Sequence, residues 1–127
     1  MVRVLVVDDQ APFRVAARAV LDRTEGFWLV GEAVSGAEAV TRVAELHPDM
    51  VLMDIDLGDR DGVAVTAELT TADAALVVVL ISTHLVDELP SGARSCGARG
   101  YVNKAQLSPS VLRDMWDLRE DPFVAPA

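Results

Sequence analysis

Residues 51–59 read VLMDIDLGD and set three aspartates, Asp54, Asp56 and Asp59, at the close of an apolar run. A second acidic pair, Asp8 and Asp9, closes the run VRVLVV. Ionised carboxylates repel one another, and each raises the pKa of its neighbour. Acids gathered at the ends of buried segments imply a cation among them or a use in chemistry. Such hard oxygen groups suit Mg²⁺, which binds through one or a few carboxylates and keeps several waters. A carboxylate is also a competent nucleophile and forms aspartyl phosphates. Phosphoryl transfer demands little beyond alignment and charge neutralisation. The hydroxyls of Ser82 and Thr83, which close the run ALVVVLI, and the ammonium of Lys104 are suited to that task.

These residues need elements that bring them together. Five short apolar runs recur, at residues 2–7, 28–30, 50–53, 75–81 and 101–102. Three of them are almost unbroken Val, Leu, Ile and Met, the pattern of strands buried on both faces of a parallel sheet. Between them lie helical patterns. PFRVAARAVLDRT spaces Phe13, Ala16, Ala17, Val20 and Leu21 for one face and has Pro12 in the first turn. SGAEAVTRVAELH begins with a Ser35/Glu38 capping-box pattern and stops before Pro48. DGVAVTAELTTAD follows Asp61 and Gly62, and SPSVLRDMWDLRE has Ser108 as N-cap and Pro109 in the first helical position. Residues 85–97 carry Pro90, Ser91 and Gly92, so a helix there is expected to be short, broken or mobile. Residues 119–127 read as a short tail or the start of a linker. Strand alternating with helix implies a parallel sheet covered on both faces, with right-handed crossovers. Functional groups in such sheets collect at the carboxyl ends of the strands.

Composition narrows the function classes. The chain has 127 residues, a one-domain length. Apolar residues make up 51% and aromatics 5%, so the core must be aliphatic. A formal charge of −9 argues against direct nucleic acid binding and against an anionic membrane surface. The single Cys96 rules out an internal disulfide and fits a cytoplasmic setting. No apolar run has the length of a membrane span.

The motifs VLVVDD, VLMDIDLGDRDG, LIST and GYVNK, in that order, resemble the receiver domain of bacterial two-component response regulators over about residues 1–118. The style of VRVLVVDDQAPFR and GARGYVNKAQLSP is closest to receivers that precede a helix-turn-helix output domain. The resemblance implies a three-layer (βα)5 flavodoxin-like fold with sheet order 2-1-3-4-5. It implies that Asp54 accepts a phosphoryl group from a histidine kinase or phosphotransfer protein. By the same analogy Asp9 and Asp54 bind Mg²⁺ directly, Asp8 acts mainly through water, and the backbone carbonyl of Asp56 is a further ligand. Lys104 contacts the phosphoryl group, Ser82 moves toward it, and Tyr101 turns inward as the switch is thrown. The reader of the switch is a downstream protein partner or an output domain, and a homodimer through the last helix-strand-helix face follows by analogy.

Three features depart from the family pattern. Gly58 stands where Pro is usual, which loosens the loop. Thr83 replaces a small residue and is expected to crowd the site, and Pro90 and Gly92 interrupt the fourth helix. Two other readings stand beside the switch. One is a receiver-like protein-binding module that works without phosphate. The other is a Mg²⁺-dependent haloacid-dehalogenase-type phosphatase, against which Gly58 and the order of the acids both weigh. Several residues also have plainer readings. Asp59 and Asp61 read as polar loop residues, His47 as a helix-end cation, and Trp28 and Trp116 as packing residues. His84 reads as an exposed loop histidine that modulates phosphate loss.

Overall fold

The computed structural model describes residues 1–126. Five strands form one parallel sheet in the order β2-β1-β3-β4-β5. They are β1 (Val2–Val7), β2 (Phe27–Ala33), β3 (Met50–Asp54), β4 (Val77–Ser82) and β5 (Gly100–Asn103). Four α-helices are present among the described residues: α1 (Ala11–Asp22), α2 (Gly36–Leu46), α3 (Gly62–Ala72) and α4 (Pro109–Asp117). The sheet order expected from the sequence is the one observed. None of the helices is long and apolar enough to cross a membrane.

Alternation along the strands divides the interior into two aliphatic layers. Leu5, Val7, Val51, Met53, Val78 and Leu80 face one layer, with Val65 and Leu69 of α3. Val4, Val6, Met50, Leu52, Val79 and Ile81 face the other, with Val20 and Leu21 of α1 and Leu112 and Met115 of α4. Every residue of β3 and β4 is buried, as their unbroken apolar runs require. β2 is an edge strand with a mixed pattern, and it extends well beyond the three residues legible in the sequence. Trp28 lies on it 57% exposed, so it is not the packing residue expected.

Local signals set the helix ends. Ser35 Oγ accepts from the Glu38 N–H at 3.1 Å. The Glu38 carboxylate reaches back past Ser35 to the N–H of Val34, at 3.2 Å. His47 ends α2 in the left-handed conformation, and Pro48 follows. Asp61 and Ser108 cap α3 and α4 through side-chain oxygens. Phe13, Ala17, Val20 and Leu21 of α1 turn toward the sheet, but Ala16 is exposed.

The crossover between β4 and β5 has no α-helix. A single 3₁₀ turn, Val86–Glu88, is followed by turns through Pro90 and Gly92. Gly92 and Gly97 both take positive φ, which suits glycine and stops helix growth. The interruption foreseen at Pro90 and Gly92 is therefore complete. Residues 119–127 were expected to form a tail or linker, but residues 123–124 pack onto the domain. Val124 forms a parallel bridge with Gly100, and Phe123 packs against the core layer that contains Tyr101.

One glycine fixes the loop that carries Asp54. A Cβ built on Gly62 would lie 2.0 Å from the Asp54 carbonyl oxygen, while one on Gly58 would meet nothing nearer than Asp9 Oδ2 at 4.0 Å. Gly62→Ala is expected to cost about 3 kcal/mol of unfolding free energy. Gly58→Ala should stay within about 0.5 kcal/mol of the parent. Urea unfolding of the two variants checks both values, and equal midpoints would refute the close-approach argument.

Candidate functional site

The strand ends are level, and that aligns the chemistry. Val7 pairs with Met53, Asp54 with Ile81, and Ser82 with Asn103. Asp8, Asp54, Ser82 and Lys104 therefore emerge on one edge of the sheet. Asp8 and Ser82 are fully buried and Asp54 is 2% exposed, whereas Asp9 is exposed. One carboxylate oxygen from each of Asp8, Asp9 and Asp54 lies within 4.8 Å of the others.

Lys104 closes the cluster from β5. Its Nζ is 2.6 Å from Asp8 Oδ2 and 3.4 Å from Asp54 Oδ2. The ammonium also lies 4.9 Å from the centre of the Phe13 ring, a cation–π contact. Burial alone would disfavour the ammonium, but the hydrogen bond to Asp8 and the charges of Asp54 and Asp8 outweigh it. The Lys104 pKa is held above its ordinary value. Lys104 is therefore not a solvated surface lysine.

Asp54 has the opposite problem. Burial pushes its pKa up to about 6, and the Asp8 charge adds to the rise. The Asp56 N–H, which donates to Asp54 Oδ1 at 3.0 Å, and Lys104 oppose the rise without cancelling it. One ammonium thus faces two buried carboxylates, with a third carboxylate at the rim.

The acids fit a divalent cation. Asp8 Oδ1 accepts from the Gln10 N–H at 2.8 Å. Asp8 Oδ2 is buried, and its close neighbour is the single Lys104 ammonium at 2.6 Å, which it shares with Asp54. An under-satisfied buried oxygen beside two further carboxylates is a hard-oxygen donor set with excess negative charge.

The hydroxyl side is arranged differently. Ser82 Oγ accepts from the His84 N–H at 3.1 Å and lies 3.5 Å from Asp56 Oδ2. His84 Nε2 is 3.4 Å from the same Asp56 oxygen, so the Asp56 side chain turns toward Ser82 and His84. Thr83 is exposed. Tyr101 is 2% exposed, more deeply buried than an ordinary edge-strand aromatic. Its hydroxyl donates to the carbonyls of Ser82, at 3.1 Å, and His84. Burial holds the Tyr101 phenol above its usual pKa.

Four supporting residues were not singled out for the site from sequence. Phe13 was assigned only to the core face of its helix. Gln10 supplies the N–H that orients Asp8. Arg14 donates to the Asp8 carbonyl at 2.8 Å and pairs with Glu32 at 3.2 Å, which buttresses the acidic turn. Asp59, read as a loop acid, accepts from the Gly36 and Ala37 N–H groups at 2.8 and 3.1 Å. Those bonds hold its carboxyl below the usual range and tie the β3–α3 loop to the start of α2. Partners of this kind, 23 positions apart, leave no local sequence signal.

Comparison with known proteins gives a consistent result. The profile of the response regulator receiver domain matches residues 4–116. The chemotaxis protein CheY of Halobacterium salinarum is 35% identical over 91% of this chain and 95% of its own length. The transcriptional regulatory protein PdtaR of Mycobacterium tuberculosis is 42% identical over 86% of this chain, but the match covers 54% of that protein. VraR of Staphylococcus epidermidis is likewise matched over 53% of its length, at 34% identity over 87% of this chain. The chain thus spans about half of these two regulators and nearly all of the CheY protein. Among solved structures, a LuxR-family response regulator from Aurantimonas superposes with a TM-score of 0.86, at 26% identity over 99% of this chain and 91% of the other. The receiver domain of NarL from Mycobacterium tuberculosis gives 0.82, at 29% identity over 94% and 97%.

The raised Asp54 pKa has a stability consequence. The folded group at about 6 binds protons that the unfolded group, at 3.8, has lost. Stability therefore falls as pH rises through that window. Without metal, Asp54→Asn should raise the unfolding free energy at pH 7 by on the order of 2 kcal/mol, and far less at pH 4. Urea midpoints at the two pH values test this; an equal gain at both would contradict it.

Proposed function

The chain belongs to the response-regulator receiver family, and from that premise we propose that it is a phosphorylation-controlled switch with Asp54 as the acceptor. The observation that carries the reading is the grouping of Lys104 with Asp8 and Asp54, at 2.6 and 3.4 Å, beside the exposed Asp9. Asp54 is the nucleophile. One of its carboxylate oxygens attacks the phosphorus of a phosphohistidine on the donor protein. The new P–O bond forms as the P–N bond breaks, and the electron pair leaves on the imidazole nitrogen.

Asp9 and Asp54 would hold Mg²⁺ directly, Asp8 through water, and the Asp56 carbonyl would be a further ligand. When bound, the ion supplies charge neutralisation and coordination positions for phosphoryl oxygens. The chain's own groups do the rest. The Asp56 N–H fixes the Asp54 carboxylate. Lys104, held by Asp8 and the Phe13 ring, supplies a fixed positive charge to the transferred group. Ser82 supplies a buried hydroxyl, and Thr83 and His84 at the rim modulate access. The added phosphoryl group brings about two negative charges to a site that already holds an excess. It thereby biases a two-state element that includes Ser82 and Tyr101.

The donor is a histidine kinase or phosphotransfer protein, in a cytoplasmic setting. The reader is a downstream protein or an output domain, since two of the relatives extend well beyond the matched region. The missing crossover helix favours a second reading, a protein-binding module indifferent to phosphate.

Intact-protein mass with acetyl phosphate separates the two. The parent with Mg²⁺ should gain one phosphoryl group. Chelation of Mg²⁺ should remove the adduct, as should Asp54→Ala, and Lys104→Ala should slow its formation by at least about tenfold. Full labelling of Asp54→Ala would defeat the assignment. A parent that binds Mg²⁺ and beryllofluoride yet shows no change in partner affinity would favour the indifferent module.

A further inference from the structure

The β3–α3 loop, residues 55–61, carries both the Asp56 carbonyl and the glycine at position 58. Its base is closed. Asp56 and Asp61 form an antiparallel bridge, and the Gly62 N–H donates to the Ile55 carbonyl at 2.9 Å. Asp61 is held further as the cap of α3, where its Oδ1 accepts from the Val63 N–H at 2.8 Å. The tip is built differently. Gly58 is exposed, and a Cβ there would meet nothing nearer than Asp9 Oδ2 at 4.0 Å. Nothing packs the chain at that point, and glycine leaves it the widest choice of conformation. Among the described residues no N–H donates to the Asp56 carbonyl, so no direct bond aims that group.

The start of α2 supplies the restraint. Asp59 Oδ1 accepts from the Gly36 N–H at 2.8 Å, and Oδ2 accepts from the Ala37 N–H at 3.1 Å. These are the first two amides of the helix, which find no partner inside it. Ser35 takes the third, that of Glu38, so the local cap and the Asp59 carboxylate do not compete. Bonds from N–H groups to an ionised carboxylate are among the stronger hydrogen bonds. Gly36 lets the loop come this close, because a Cβ there would lie 3.0 Å from Arg60 Cβ and 2.9 Å from Val65 Cγ2. Arg60 then pairs with Glu68 at 2.9 Å.

We propose that Asp59 is a positioning residue for the cation site: it clips the loop tip to α2 and so fixes the peptide that presents the Asp56 carbonyl. The clip supplies through hydrogen bonds the restraint that a proline at position 58 supplies through its ring. This role rests on Asp9, Asp54 and the Asp56 carbonyl being the Mg²⁺ ligands of a phosphoacceptor site. A ligand that must be ordered as the ion arrives costs affinity, and one already held does not. Groups that orient a metal ligand from outside its shell are commonly worth about 10- to 100-fold in affinity. Asp59 acts on one ligand of several, and from three residues away, so the lower end applies.

Asp59 also carries a charge, and its removal weakens the attraction for a cation whatever the loop does. Gly58→Pro separates the two causes, because it restrains the loop without restoring the charge. Position 58 suits the change. Gly58 does not take positive φ, and its N–H donates to no group among the described residues.

The test compares the full chain with Asp59→Ala, Gly58→Pro and the double variant. Amide exchange at Gly36 and Ala37 reads the clip, and a Mg²⁺ titration followed by amide chemical shifts reads the site. Asp59→Ala should exchange both amides at least about tenfold faster and bind Mg²⁺ about tenfold more weakly. Gly58→Pro alone should change Mg²⁺ affinity by less than about twofold, because the clip already holds the tip. In the double variant the proline should return most of the lost affinity while both amides still exchange fast. Mg²⁺ should slow exchange at both amides in the parent, since coupling is reciprocal. Unchanged exchange in Asp59→Ala would show that no clip is present and would overturn the proposal. Weaker Mg²⁺ binding that the proline does not relieve would assign the loss to charge and overturn the positioning role. So would a tenfold loss, about the size expected of Asp59→Ala, in Gly58→Pro alone. Equal Mg²⁺ affinity in Asp59→Ala would overturn that role too, and would leave the phosphoacceptor reading standing. A parent that binds no Mg²⁺ would defeat the metal-site reading itself, and the positioning role with it.

Discussion

Two buried carboxylates share one ammonium at the carboxyl edge of the sheet. Asp8 and Asp54 lie out of water, and Lys104 neutralises at most one of them. Removing charges from water costs several kcal/mol each, and an attraction of this kind recovers the cost only with good geometry. The arrangement persists because three strands, β1, β3 and β5, end at the same height and their neighbours are packed too well to shift. A register slip of one residue would send every side chain of a strand to the wrong layer. The aliphatic core is therefore what holds the two carboxylates together at this edge despite their repulsion. Asp54 is ready to accept positive charge because it has too little of it.

The same division explains what could be read from the sequence. β1, β3 and β4 are legible because strands buried on both faces must be apolar throughout, and the residues that end the runs must then be the site. The caps at Ser35, Asp61 and Ser108 are legible because they act on amides two or three positions away. β2 is half-exposed and lies at an edge, so its pattern shows only in part, and Trp28 turns out to face solvent. Phe13 and Asp59, and Arg14 through its pairing with Glu32, act across large sequence separations, where no periodicity marks them. Residues 123–124 were hidden for a related reason. A segment between two prolines looks unstructured, and its pairing depends on an open edge and a glycine, Gly100, more than twenty positions away.

The departures from the family pattern have unequal weight. Gly58 lies where a side chain would meet little, so the change there alters loop freedom rather than packing. Thr83 is exposed, so the expected crowding of the site reduces to a side chain at its rim. Pro90 and Gly92 matter most. Without a helix, the β4–β5 crossover offers the core only small or partly buried side chains such as Ala93, Cys96 and Ala98. The surface beside β5 is then left to be covered by something else.

The acidic edge and the face over β5 are consequently built from different physics. The acidic edge rests on strand register and dense aliphatic packing, both of which resist small changes. The face over β5 rests on two backbone hydrogen bonds to Val124, the Phe123 ring with Arg94 over it, the Val124 side chain, and the Tyr101 and Asn103 bonds to the β4–β5 loop. A phosphoryl group on Asp54, as proposed, would add about two negative charges at this edge. It can act on a face held this lightly, whereas a fully packed helix in the same place would demand more. An irregular, weakly covered face opposite a rigid acidic edge is therefore consistent with switching, because a signal can move only what is held by less than the signal provides.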